Sequence, residues 1–203
     1  MATHEFAIMA ISSIVAVMNP LSTTAIYLTL TKGQTPEKQR KIVVKAMKIG
    51  FLILTFFALT GQLLFQVFNL KVYSFQIAGG ILLFTIASRM LSEKNGFSSD
   101  SREDLSIIPL AFPLTAGPGT ITTVILLFSQ ASNVFEVVFV FMGIAVGVLL
   151  SYLGMTHAHR IFKLFGKDGI RVVTALMAII VLAIAIQFVI TGIIDVTSQI
   201  PIE

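Results

Sequence analysis

The chain has 203 residues, of which 56% are hydrophobic and only 12% charged, with a formal net charge of +4. A soluble domain carries about 25% charged residues, so an ordinary soluble enzyme, a disordered chain and a nucleic-acid binder are all excluded. There is no cysteine, which removes disulfides, thiolate metal sites, iron–sulfur clusters and thiol redox chemistry, and no cofactor is expected.

A spanning helix needs about 20 largely apolar residues. Stretches free of Asp, Glu, Lys and Arg predict six: 6–31, 49–70, 72–88, 105–135, 137–159 and 172–194. The first is too long for a signal-peptide core and reads as a retained span. It contains Asn19-Pro20, followed by Ser22, Thr23 and Thr24. The segment after it, Thr35-Pro36-Glu37-Lys38, predicts an N-cap, a proline in the first turn and an exposed basic helix running into the second span. Only Asn69, Leu70 and Lys71 separate spans two and three, which requires a tight turn. Ala78-Gly79-Gly80 in the third gives a smooth surface for close helix approach, against a broken helix. A polar stretch, 92–106, reads as a cytoplasmic linker. The fourth span holds Pro113, Thr115 and the run Ala116-Gly117-Pro118-Gly119-Thr120-Ile121-Thr122-Thr123. Gly143 and Gly147 in the fifth are a small-xxx-small pair, suited to packing within one chain or between two. His157 and His159 sit at its inner end, next to Arg160, and read as part of a basic interfacial collar.

The basic residues fix an orientation. Lys32, Lys38, Arg40, Lys41, Lys45 and Lys48 follow span one. Arg89, Lys94 and Arg102 follow span three, and Arg160, Lys163, Lys167 and Arg171 follow span five. Only Lys71 falls on the other side. Basic loops stay in the cytoplasm, so the reading is a plasma (inner) membrane protein with both termini extracytoplasmic.

Three spans per half make the second half enter from the opposite side, the layout of inverted-repeat transporters. The halves are 1–91 and 107–203, joined by the 92–106 linker. A shift of 98 residues puts Pro20 on Pro118, Thr24 on Thr122, Leu28 on Leu126 and Ser22 opposite Thr120. The fold class expected is therefore all-α, with six transmembrane helices in two inverted three-helix repeats and helices 1 and 4 broken near the midplane. Proline removes a backbone bond and clashes with the preceding turn. In hydrocarbon the freed groups must face protein or a wet cavity. Each helix that restarts after its proline aims a positive N-terminal end at the membrane interior, which suits a carboxylate. The Asn19 side-chain oxygen and the carbonyls ending the preceding half-helices can accept from an ammonium. No Asp, Glu, Lys or Arg lies mid-span, so the expected site takes a net-neutral solute, and a membrane protease is poorly supported. The candidate substrate-binding residues are Asn19, Pro20, Ser22, Thr23, Thr115, Gly117, Pro118, Gly119 and Thr120. Gln62, Gln76, Gln130 and Gln187 serve interhelical hydrogen bonding, with Gln76 and Gln187 as alternative cavity residues.

Asn19-Pro20, Leu30-Thr31, Thr35-Pro36-Glu37-Lys38-Gln39-Arg40, 77–84 (Ile-Ala-Gly-Gly-Ile-Leu-Leu-Phe), 109–114 (Pro-Leu-Ala-Phe-Pro-Leu), 116–123 and Ala185-Ile186-Gln187-Phe188 together resemble the MarC family of inner-membrane proteins, in order along nearly the whole chain. The resemblance implies a six-span transporter of small neutral amino acids, similar in fold to the inverted-repeat amino-acid exporters of the lysine-exporter superfamily. Ser22 and Ala25 stand where members often carry a glycine and a second proline, which implies a milder first break. The expected function is a secondary transporter of glycine- or alanine-like solutes, working by alternating access in the lipid bilayer. A coupling ion, H+ or Na+, and a homo-oligomer are both left open. The rivals are a channel for small neutral solutes and a non-transport membrane scaffold.

Overall fold

The computed structural model describes residues 3–31, 33–92, 105–162 and 166–197, and the regular structure among them is entirely helical. Helix α1 is Thr3–Met18 and α2 is Pro20–Leu30, separated by the single residue Asn19. Helix α3 is Pro36–Val67 and α4 is Val72–Ser92. A segment of wide π-type turns, Ser106–Thr115, leads to α5, Pro118–Gln130. Helices α6, Val134–Phe162, and α7, Gly166–Thr197, complete the chain.

Local chemistry accounts for the helix ends. The Thr35 hydroxyl accepts from the Lys38 N–H at 3.4 Å, and Pro36 occupies the first turn, where its missing N–H costs nothing. Helix α3 therefore starts well before its apolar stretch and carries the basic residues on an exposed face. At its other end Asn69 takes φ 47°, and the Leu70 N–H donates to the Phe65 carbonyl at 2.8 Å, reversing the chain within four residues. Two side chains secure the start of α6: Asn133 Oδ1 accepts from the Glu136 N–H at 3.0 Å, and the buried Glu136 carboxylate reaches back to accept from the Ser132 N–H at 2.7 Å.

Four segments are long and apolar enough to cross a membrane: Thr3–Leu28, Pro36–Val67, Val134–Ala158 and Ile179–Thr197. The bent pair Ser106–Thr115 and Pro118–Gln130 makes a fifth if taken as one span. The expected third span, 72–88, corresponds to α4, whose described apolar stretch is the shorter Tyr73–Thr85. Leu52, Phe56, Leu59 and Leu63 form an exposed stripe along one face of α3, a surface suited to lipid and costly in water. Residues 93–104 of the expected linker, Lys94 and Arg102 among them, together with Lys32 and Lys163, lie outside the described residues, as does the side chain of His159.

Close approaches define the packing. On α6, Gly143 lies against Ala10 and Ile14, Gly147 against Met18 and Gly154 against Thr24, so α6 runs parallel to α1 and α2. The small-xxx-small pair thus packs within one chain. On α3, Gly50 meets Thr115 and Gly61 meets Ile125, a parallel pairing with the segment ending at Thr115 and with α5. Helices α4 and α7 form an antiparallel pair, Gly80 against Ala185 and Gly192 against Tyr73 and Ile77. One apolar core joins α2, the start of α3, α4, Leu110, the later part of α6 (Met155, Ala158) and α7; the other joins α1, the rest of α3, α5 and the earlier part of α6.

Candidate functional site

The two proline interruptions meet at one cavity. At the first, Asn19 adopts a left-handed conformation (φ 46°, ψ 70°) that Asn tolerates better than most residues. Its side-chain oxygen accepts from the Ser22 N–H at 3.3 Å, capping α2. The ladder is barely interrupted, since the Asn19 N–H still reaches the Val15 carbonyl at 3.1 Å and the Thr23 N–H reaches the Asn19 carbonyl at 3.2 Å. The Thr23 hydroxyl donates to the Met18 and Asn19 carbonyls at 3.3 and 3.1 Å, and that of Thr24 to the Pro20 carbonyl at 2.7 Å. These hydroxyls therefore satisfy carbonyls instead of capping the free N–H groups. Much of the acceptor capacity expected of Asn19 and Met18 is already engaged.

The second interruption is deeper. Ile108 and Phe112, each preceding a proline, are extended, as the ring of a following proline demands. The segment and α5 meet at 53°. Gly117 is required at the corner, because a Cβ there would overlap the Pro113 carbonyl oxygen. It precedes α5 with φ −75° and ψ 168°, and no side chain caps the helix. Pro118 has no N–H, so the first turn of α5 presents the free donors of Gly119 and Thr120 at the positive end of the dipole.

Asn19, Ser22, Thr23, Gly117, Gly119 and Thr120 all line one cavity of about 60 Å³. A water takes about 30 Å³ of liquid volume, so the cavity has room for about two waters or a comparably small solute. None of its lining residues is charged. Thr120 is buried, and its hydroxyl makes no hydrogen bond among the described residues. Of the other expected site residues, Pro20, Thr115 and Pro118 are not on the cavity wall. Thr115 is fully buried, donates to the Leu110 carbonyl at 2.8 Å and packs on Gly50. Pro118 seats its ring on Gly79, where a Cβ would overlap it.

The rest of the lining is apolar: Val17, Met18, Ile26, Pro113 and Leu114 beside the interruptions, and, unmarked as a site in the sequence, Leu83 on α4 with Val181, Ile184 and Phe188 on α7. The α7 spacing is one helical face, but apolar residues in an apolar span carry no mark of a site. Gln187 is exposed and donates to the Thr191 hydroxyl at 3.1 Å, away from the cavity. Gln76 is also off its wall, with its side-chain oxygen buried and unpartnered among the described residues. His157 Nδ1 lies 2.9 Å from the Leu153 carbonyl, well separated in sequence from either interruption.

Residues 4–197 match the family profile described as MarC family integral membrane protein. The chain is 33% identical over 201 residues to a UPF0056 membrane protein of Aquifex aeolicus, covering 93% of this chain and 94% of that one. It is 33% identical to the UPF0056 membrane protein YvbG of Bacillus subtilis (93% and 94% covered) and 30% identical to YhcE of Escherichia coli (88% and 87%). No solved structure matches.

Proposed function

The chain belongs to the MarC family of integral membrane proteins, and on that premise we propose that it is a secondary transporter of small neutral amino acids such as glycine and alanine. The observation that carries this reading is the cavity of about 60 Å³ where the two proline interruptions meet, lined by no charged side chain and therefore suited only to a small, net-neutral solute. The uncapped first turn of α5 would take the carboxylate. Carbonyl and hydroxyl oxygens near Asn19, Ser22 and Thr120 would take the ammonium. Uncharged dipoles on both ends favour a solute that carries both charges and no net one.

The packing supports six spans in two inverted repeats. Exchanging the first span (α1–α2) with the fourth (106–115 and α5), the second (α3) with the fifth (α6), and the third (α4) with the sixth (α7) maps most helix pairings onto one another, although α5–α6 has no comparably close counterpart between the first span and α3. The α1–α6 pairing maps onto that of the 106–115 segment with α3, α2–α6 onto α5–α3, and α2–α7 onto α5–α4. Gly147 on Met18 and Gly50 on Thr115 become the same contact, each within one residue, after a shift of 98. In this arrangement α4 and α7 form one unit, closing the cavity with Leu83, Val181, Ile184 and Phe188, while the interruptions belong to the other. Motion between the two units would alternate access.

Reconstituted protein should show saturable, trans-stimulated exchange of radiolabelled glycine or alanine. Absence of exchange with glycine, alanine and serine would remove the proposal, and flux without trans-stimulation would favour a channel. Sidedness has its own test, because every introduced cysteine is unique in this chain. We expect Lys71→Cys to react with an impermeant maleimide from outside intact cells, and Lys38→Cys to react only after permeabilisation. The reverse pattern would invert the topology.

A further inference from the structure

Lys41, Lys45 and Lys48 on α3 recur at the four- and three-residue spacing of one helical face, and all three are exposed. Leu52, Phe56, Leu59 and Leu63 continue that spacing along the same face and are also exposed. The face therefore changes from cationic to apolar within about one turn. From Leu52 to Leu63 the axial rise is about 16 Å, about half of a hydrocarbon core about 30 Å thick, which is the depth of one leaflet. At the cationic end, Arg40, Lys41, Lys45 and Lys48 line a cavity of about 610 Å³. Its one acid among the described residues, Glu37, pairs with Lys41 at 2.7 Å, so the remaining charge of the wall is positive. Arg40 and Lys48 make no ion pair among the described residues. Arg40 also borders a cleft of about 570 Å³ between α2, α3 and α6, where Tyr152 and His157 face it and no acid is among the described lining residues. A guanidinium carries a planar fork of donors that matches phosphate. Unpaired cations above an apolar strip one leaflet deep match a molecule with one anionic head and long apolar tails.

We propose that this face of α3 is a binding site for an anionic phospholipid, with its phosphate in the cavity bounded by Arg40 and Lys48 and an acyl chain along Leu52, Phe56, Leu59 and Leu63. The site is separate from the central cavity and does not depend on what crosses the membrane. The test is native mass spectrometry of the full chain in detergent, titrated with phosphatidylglycerol, with phosphatidylcholine of the same chain length, or with glycerol 3-phosphate. Phosphatidylglycerol should bind at least about tenfold more tightly than either of the others. Arg40→Gln and Lys48→Gln should each weaken its binding by about fivefold, the effect of one basic residue near an anionic surface, and leave phosphatidylcholine unmoved. Lys71→Gln removes the same charge beyond the other end of α3 and should change nothing. All three side chains are exposed, so the variants should keep the wild-type melting temperature in lipid-free detergent. Equal binding of the two lipids overturns the site, as does unchanged phosphatidylglycerol binding in both α3 variants. Equal weakening by Lys71→Gln would reduce the effect to net charge and overturn it too. Glycerol 3-phosphate binding as tightly as phosphatidylglycerol would assign the cations to a soluble phosphate and remove the lipid.

Discussion

The two proline interruptions are built from similar residues and fold differently. Both place a proline at the first turn of a helix, and both satisfy that proline's carbonyl with the threonine hydroxyl four residues on, Thr24 to Pro20 at 2.7 Å and Thr122 to Pro118 at 2.8 Å. Asn19 then caps its helix with its own side chain and bends the chain so little that Thr3–Leu28 reads as one span. The second interruption has two further prolines upstream, a 53° bend and a glycine where the first has its capping asparagine. The lesson lies in the free donors. The first helix start spends an N–H on Asn19, whereas the second leaves its first turn open at the cavity. A carboxylate is therefore expected at α5, with the Asn19 side supplying the surroundings for the ammonium.

The largest effect should come from filling the seam that holds α5 in place. Gly79→Val drives a side chain into the Pro118 ring, and overpacking of this kind costs about 1–3 kcal/mol. Exchange should be lost and thermal stability in detergent lowered; normal exchange would show that α4 need not approach α5 this closely. Next is Thr120→Val, which removes a buried cavity hydroxyl that has no hydrogen-bond partner among the described residues. One hydrogen bond to a charged group is worth about 1.5–3 kcal/mol, so exchange should fall by roughly ten- to a hundredfold with stability little changed. An effect no larger than that of Asn19→Ala would erase the proposed asymmetry. Asn19→Ala itself should lower stability by about 1 kcal/mol, and Asn19→Gly by only a few tenths, because glycine keeps the left-handed backbone. The smallest effects belong to the shared feature. Thr24→Val and Thr122→Val each remove the same hydroxyl–carbonyl bond and should cost about 1 kcal/mol or less, by similar amounts. A large difference between them would separate the two interruptions even at this common point.

Much of this was legible in the sequence because charges and prolines are rare in an apolar chain and each occurrence means something. The start of α3 at Thr35-Pro36, the tight turn at Asn69, the location of both interruptions and the approach of Gly79 to α5 could all be read that way. What stayed hidden depends on direction. The sequence places Thr23 and Thr24 beside a free helix end, yet their hydroxyls turn back to carbonyls one turn earlier, a choice set by rotamer and backbone. Thr115 faces Gly50 instead of the cavity because the wide turns before it rotate the chain. The α7 wall was invisible for a different reason: Val181 and Ile184 cannot be told from lipid-facing neighbours such as Ile179 and Ile180 until the helix is packed.

The most direct test of the central claim is an experimental density map of the protein saturated with alanine, compared with one of the protein alone. The predicted result is added density in the cavity between residues 19–23 and 117–120, with the carboxylate within hydrogen-bonding distance of the Gly119 and Thr120 N–H groups. An empty cavity at saturation, or a carboxylate turned toward Asn19 and away from α5, would contradict it.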